Sequence, residues 1–241
     1  MLFLRSLLFN ICFFAITPIF SAVIIFCRLF GHPAAWFWAK LWSATSLFLA
    51  RWICGIQVRI EGREHFPSES CVVMAKHQSA LETIAMPQLV PPYAWILKRE
   101  LFYIPLFGWA LWAIDGIAIR RGNPREAIKQ VNQQGTDLLQ QGKWVVIFPE
   151  GTRSAVGSSG EYRPGGIVLA QKANVGILPM AHNAGVCWPK RGFIKRPGIV
   201  TVRFLPFITA EHISAEHRNT LLKQLTGDIE KNTRELESNS Q

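Results

Sequence analysis

Residues 71–77 read Cys71-Val72-Val73-Met74-Ala75-Lys76-His77, a short and mostly apolar run that stops on a histidine and leads into the helix-like segment Leu81 to Leu89. Three further runs behave in the same way. Tyr93-Ala94-Trp95-Ile96-Leu97 ends on Lys98-Arg99, Gly116-Ile117-Ala118-Ile119 on Arg120-Arg121, and Trp144-Val145-Val146-Ile147-Phe148-Pro149 on Glu150. Runs this short, apolar on both faces and separated by helical segments, predict buried parallel strands. Ligands of open α/β sheets bind in the crevice beyond the carboxyl ends of such strands. The pattern therefore places a base, cationic positions and a carboxylate on one edge, a layout suited to a phosphorylated substrate.

Working outward, Ile56-Gln57-Val58-Arg59-Ile60 alternates like an entry strand, and Gly176 to Met180 and Ile199 to Leu205 read as later strands. Arg125 to Gln140 and Gly166 to Ala173 read as intervening helices, and Ser214 to Leu236 as an amphipathic closing helix. The expected fold class is α/β, a sheet flanked by helices behind an N-terminal two-helix membrane element. The expected boundaries are residues 1–54 for the anchoring helix pair and 55–241 for the sheet domain.

The membrane element rests on Ser6 to Cys27, which contains no charged residue and as a helix would span about 33 Å, one hydrocarbon core. A cleaved signal peptide is the competing reading, opposed by the length of the run and by the Trp-rich segment Ala34 to Ile53 that follows it. Lys40 in the middle of that second segment would cost roughly 2.5–3.5 kcal/mol to insert, so crossing, interfacial and re-entrant arrangements all remain open. Arg5 and the Arg51, Arg59 and Arg63 group would share one side, which the positive-inside bias makes cytoplasmic.

Composition narrows the partners. The 241 residues are 49% hydrophobic and carry a formal net charge of +10, which calls for an anionic partner or surface. No zinc-finger spacing, RNP-like strand or arginine-rich arm supports nucleic acid, so an anionic bilayer is the better fit. Five scattered cysteines without a CxxC pair predict a reducing, cytoplasm-facing domain, and no histidine cluster predicts a metal site. From Tyr162 to Ala210 there are seven basic residues and no acidic ones. This segment reads as a dock for anionic headgroups, as a capture site for an acidic carrier protein or coenzyme phosphates, or as a solvated loop.

The chemistry centres on His77 and Glu82. In a regular helix neighbours fall at i+3 and i+4, so an imidazole and a carboxylate five apart meet only if His77 sits in the turn before the helix. Glu82 would then fix the ring tautomer and leave the other nitrogen as a general base. Ser79-x-x-Glu82 is also a capping box, which would engage Glu82 in closing the helix. The two readings weigh evenly on local sequence, and both can operate at once. Ser79, Ser154 and Cys71 are conceivable nucleophiles, but none lies in a G-x-S-x-G elbow.

At this point the chain resembles the glycerolipid acyltransferase family, in particular its 1-acylglycerol-3-phosphate acyltransferases. Four blocks carry the resemblance over roughly residues 50 to 210. They are His77-x4-Glu82, the strand ending in Arg121, the heptad Phe148-Pro149-Glu150-Gly151-Thr152-Arg153-Ser154, and the apolar strand Ile177-Leu178-Pro179-Met180. Lys98-Arg99-Glu100-Leu101-Phe102 followed by Pro105 and Gly108 also looks like the family's segment between the first two blocks. Glutamate stands at residue 82 where aspartate is commoner, which moves the carboxylate by about 1.5 Å. Arg120 stands where an aspartate often precedes the block-two arginine.

The resemblance implies a membrane acyltransferase of the bacterial inner membrane with its catalytic domain facing the cytoplasm. It would move a fatty acyl group from acyl-coenzyme A or acyl carrier protein to the free sn-2 hydroxyl of 1-acyl-sn-glycerol 3-phosphate, making phosphatidic acid, with no cofactor. In that reading His77 is the base and Glu82 orients it. Lys98, Arg120, Arg121 and Arg153 supply phosphate-binding charge, while Glu150, Gly151 and Thr152 bind the acceptor and Pro179 lines the acyl site. Membrane lipids, acyl-coenzyme A and acyl carrier protein are the expected partners. Two competitors stand beside it: the same chemistry on lyso-ornithine lipid or a lysophospholipid, and a non-catalytic membrane lipid-binding protein.

Overall fold

The computed structural model describes residues 1–120 and 124–240. Among these residues seven strands form one sheet: β1 Ile56–Glu61, β2 Val72–Ala75, β3 Tyr93–Lys98, β4 Ile117–Ile119, β5 Trp144–Ile147, β6 Ile177–His182 and β7 Gly198–Phe204. Their order across the sheet is β1-β7-β6-β2-β5-β3-β4. β6, β2, β5, β3 and β4 run parallel, while β7 is antiparallel to β6 and parallel to β1. The four apolar runs become β2 to β5, with every residue of β2 and β5 buried. Strands covered on both faces leave no position for a polar residue, which is why these runs lack alternation.

The helices are α1 Leu2–Cys27, α2 His32–Cys54, α3 Leu81–Leu89, α4 Phe107–Ala113, α5 Pro124–Gln140, α6 Gly165–Ala173, α7 Ala184–Cys187, α8 Ala210–Ala215 and α9 Arg218–Ser238. Three departures from the sequence expectation stand out, one being α7, a single turn where none is expected. α4 forms where only a connecting segment is predicted, and packs on α1. The expected closing helix is broken in two, because Glu216 and His217 both adopt extended backbone and Thr209 caps α8 by accepting from the His212 amide.

The two N-terminal helices pack on each other and on the sheet domain. α1, with the short turn that follows it, is the one described helix long and apolar enough to cross a membrane, over Leu2–Phe30. It exposes Leu4, Leu8, Ile11, Phe14 and Phe26. α2 turns small residues inward: Ala35, Ala39, Ser43, Ser46 and Ala50 are buried, and the Ser43 hydroxyl donates to the Ile84 carbonyl of α3 at 2.6 Å. Lys40 points outward, exposed. Ile24, Trp36 and Ala39 join the same apolar cluster as Val73, Ala85 and Met86, so the helix pair shares its core with one face of the sheet. The opposite face is covered by α5, α6, α8 and α9 around Val72, Met74 and Val145.

Candidate active site

β2 ends at Ala75 and its neighbour β5 ends at Ile147, so the residues that follow each strand meet at one edge of the sheet. His77 Nδ1 lies 2.8 Å from Glu82 Oε1. The Glu82 carboxylate also accepts from the backbone amides of Gln78 at 3.1 Å and Ser79 at 3.0 and 2.9 Å, and it is only 1% exposed. Glu82 therefore closes the turn and orients the imidazole at the same time. The Ser79 hydroxyl accepts from the Leu81 amide at 3.1 Å, the local half of the same cap. Burial pushes the Glu82 carboxyl up, but the charges of His182 and His77 and the hydrogen bonds from His77 and Ser79 outweigh it and hold the group below its ordinary value. With Nδ1–H donating to Glu82, the lone pair of Nε2 is the free one, as a general base requires.

The heptad after β5 grips His77 by its backbone. Glu150 Oε1 accepts from the His77 amide at 3.1 Å. The His77 carbonyl accepts from the Ser154 amide at 2.8 Å and from its hydroxyl at 3.2 Å. The Phe148 ring stacks on the imidazole at 4.1 Å between centroids and 19° between planes. Ser154 is thus engaged in holding His77, and Cys71, immediately before β2, has its thiol pushed up by burial; neither is placed as a nucleophile.

The remaining expected residues divide. Arg153 lines an apolar cavity of about 510 Å³ together with Ala80, Thr83 and Trp188. That cavity runs between α1, α3 and α4 past Pro18, Ile84 and Leu111. Ala80, three residues beyond His77, and Arg153 of the heptad both line it, so the His77 turn and the heptad border the same cavity. Glu150 is 5% exposed and turned inward on Lys76 at 3.3 Å, not outward toward a ligand. Gly151 has φ +67° with open space where a Cβ would stand, so the left-handed turn, not close packing, asks for glycine. Thr152 is exposed beside it.

Lys98 closes β3 and Arg120 follows β4 on the same edge, both exposed, and Lys98 pairs with Glu100 at 3.5 Å. One and two strands further from β2 than β5, they stand about 10 and 15 Å along the sheet from His77 at the usual strand spacing. Arg121 lies outside the described residues. Pro179 belongs to β6 and lines a different cavity, of about 590 Å³ between α8, α9 and residues 205–209, which does not include Arg153 or Trp188.

The basic segment resolves differently from a uniform docking loop. Lys195 is 2% exposed, donates to Asn10 Oδ1 at 2.6 Å and to the Phe193 carbonyl at 3.0 Å, and lies 4.5 Å from the Trp188 ring centre. It ties the segment to α1, while Arg191 and Arg196 stay exposed. Sequence reasoning missed this latch, the Ser154 and Phe148 contacts, and the burial of Lys76. A lysine ending an otherwise apolar strand was the available signal for the last.

The chain is similar to known proteins. A 1-acyl-sn-glycerol-3-phosphate acyltransferase of Pseudomonas aeruginosa is 45% identical over 170 residues, 70% of this chain and 66% of that protein. The 1-acyl-sn-glycerol-3-phosphate acyltransferase alpha of Mus musculus is 33% identical over 174 residues, 70% of this chain and 61% of that protein. The chain thus spans less than two thirds of the length of these relatives. The crystal structure of a 1-acyl-sn-glycerophosphate acyltransferase from Thermotoga maritima superposes with a TM-score of 0.81 over 98% of both chains at 22% identity, a likeness of fold. The family model described as Acyltransferase matches residues 57–183, more than half of the chain and the whole of the His77, Glu82 and heptad constellation, and this protein belongs to the acyltransferase family.

Proposed function

We propose that the protein transfers a fatty acyl group from an acyl thioester, acyl-coenzyme A or acyl carrier protein, to the free sn-2 hydroxyl of 1-acyl-sn-glycerol 3-phosphate, forming phosphatidic acid. The observation that carries this reading is the His77–Glu82 pair, 2.8 Å apart, with Glu82 buried and the same turn lending Ala80 to the lining of an apolar cavity. His77 Nε2 takes the hydroxyl proton as the acceptor oxygen bonds to the thioester carbonyl carbon. The carbon–sulfur bond then breaks and the leaving thiolate receives a proton. The thioester is already activated, so no acyl-enzyme is required, and a positioned base of this kind contributes roughly 10²–10⁴-fold.

Arg153 on the cavity rim is the cation best placed to meet the acceptor phosphate, and its planar fork suits bidentate contact. The cavity between α1, α3 and α4 suits an acyl chain, with the reacting carbonyl toward His77. Exposed Trp109 and Trp112 on α4 and Tyr103 just before it add an aromatic rim beside the exposed apolar face of α1, the side-chain types favoured where bilayer meets water. In this reading the protein sits on the inner membrane of a bacterium with the site facing the cytoplasm.

The test is product analysis by mass spectrometry with purified full-length protein, mixed lysolipid acceptors and both donor types. His77→Ala is expected to abolish transfer while thermal unfolding and membrane partition stay unchanged. Arg153→Ala is expected to raise KM for phosphate-bearing acceptors alone. Near-parental turnover by His77→Ala ends the proposal, and preference for a phosphate-free acceptor reassigns the substrate.

A further inference from the structure

Lys76, the residue before the base, is completely buried, and its ammonium is met by two carboxylates and a backbone carbonyl. It donates to Glu230 Oε1 at 2.6 Å and to the Ser158 carbonyl at 3.1 Å, and lies 3.3 Å from Glu150 Oε1. Glu230 belongs to α9, outside the residues matched by the family model, and also accepts from the Tyr162 hydroxyl at 2.9 Å. Two turns on, Glu237 accepts from Gln78 Nε2 at 2.6 Å and from the Gly157 amide at 3.1 Å. The C-terminal helix therefore holds both neighbours of His77, Lys76 and Gln78, and the loop that follows the heptad.

A buried ion triad is a poor device for stability alone, since apolar residues of similar volume commonly do as well or better. What this triad does is geometric. Glu150 Oε1 sits between the Lys76 ammonium and the His77 amide, and Glu150 Oε2 is buried with no hydrogen-bond partner. An acceptor hydroxyl has no access to a side chain enclosed in this way. We propose that Lys76 and Glu230 are positioning residues for acyl transfer: together they lock Glu150 as the backbone anchor of His77, and α9 is thereby part of the active site. The proposal rests on His77 being the general base.

The test uses the full-length protein and reads kcat, acceptor KM and the acid limb of the pH–rate profile in Glu150→Gln, Lys76→Met and Lys76→Met/Glu230→Gln. Among the described residues, the charged or titratable groups packed around the His77 turn are Glu82 on α3, Lys76 just after β2, His182 at the end of β6, Glu150 on the heptad, and Glu230 and Glu237 on α9. Glutamine at 150 retains an oxygen for the His77 amide but loses the negative charge. It is expected to lower kcat about tenfold, leave acceptor KM within about twofold, and move the acid limb to lower pH. Lys76→Met removes the compensating cation and is expected to move the limb the opposite way, to higher pH, because the remaining carboxylates favour the imidazolium. Adding Glu230→Gln removes one of those carboxylates and is expected to bring the limb back toward the parent. It also supplies a folded variant should Lys76→Met alone fail to fold. A merely structural role moves stability without this opposed pair of shifts.

An acceptor KM raised tenfold or more in Glu150→Gln, with the limb in place, would make Glu150 a substrate contact and overturn the proposal. Limbs that do not move in opposite directions overturn it as well. His77→Ala separates the two levels of failure. An active His77→Ala removes the base reading itself, whereas a dead His77→Ala with unmoved limbs in the other variants removes only the positioning role.

Discussion

Replacing Glu82 by glutamine isolates the charge that stands behind the proposed base, His77. The carboxylate accepts from His77 Nδ1 at 2.8 Å and from the amides of Gln78 and Ser79 at 2.9 to 3.1 Å. Glutamine with its oxygen in the Oε1 position keeps the imidazole contact and the Gln78 amide, while its amide nitrogen faces the Ser79 N–H, donor against donor. The larger loss is electrostatic. As the ring takes the acceptor proton, an imidazolium forms with its charge centred about 4 Å from the carboxylate; at an effective dielectric constant of 20 their attraction is about 4 kcal/mol. Discounting that figure for the hydrogen bond retained leaves about 3–4 kcal/mol of lost transition-state stabilisation, or roughly 10²–10³-fold in kcat at 1.36 kcal/mol per tenfold. Acceptor KM should hardly change, because Glu82 is 1% exposed and out of reach of the substrate. Initial rates of acyl transfer on lysophosphatidic acid vesicles, with thermal unfolding as the control for folding, measure both quantities. A kcat within fivefold of the parent in a folded Glu82→Gln protein would refute the assignment of Glu82 as the group that stabilises the charged ring.

Four further outcomes follow from particular contacts. The Glu82 pKa is lowered in the folded state from 4.5, so its contribution is full above that value and is lost as pH falls through the folded value. Equilibrium unfolding of the parent minus Glu82→Gln should therefore narrow with acid below about pH 4.5, and a flat difference would count against it. Lys195→Met leaves Asn10 Oδ1 and the Phe193 carbonyl without their donor and removes the ring contacts, and should cost about 2 kcal/mol and make α1 more sensitive to limited proteolysis in micelles. Ala110→Trp fills part of the cavity between α1 and α4, so the donor preference should move to shorter chains; an unchanged chain-length series would place the acyl group elsewhere. Gly62→Ala would put a Cβ 2.0 Å from the Phe204 carbonyl oxygen at φ +78°, and should destabilise by about 3 kcal/mol in denaturant unfolding.

Much of the fold was legible because burial on both faces leaves a strong mark. β2, β3, β4 and β5 appear where short apolar runs end on polar residues, and all four are parallel. α4 left no such mark: its seven residues, with Gly108 among them, are too few to set up a helical period. The break between α8 and α9 was hidden because the apolar positions Ile213, Leu221 and Leu225 all reach the core, so the amphipathic pattern runs through Glu216 and His217. In the site, the spacing of His77 and Glu82 left a choice between cap and orienter, and the geometry has Glu82 in both roles. The heptad was readable as a motif, but its grip on the His77 backbone through Glu150 and Ser154 joins residues more than 70 positions apart.

Hydrophobic period and charge are local properties of a chain, so the buried strands, the apolar first helix suited to a membrane and the residue types at strand ends could all be read directly from the order of residues. Which of those ends are neighbours was set by the folded sheet. Strand order puts β5 beside β2 and displaces β3 and β4, so Glu150 meets the His77 turn while Lys98 and Arg120 stand further along the edge. The fold also decided that Lys76 is buried and that α9 returns to neutralise it, since a charge in the interior is tolerable only where the folded chain brings its partners to it.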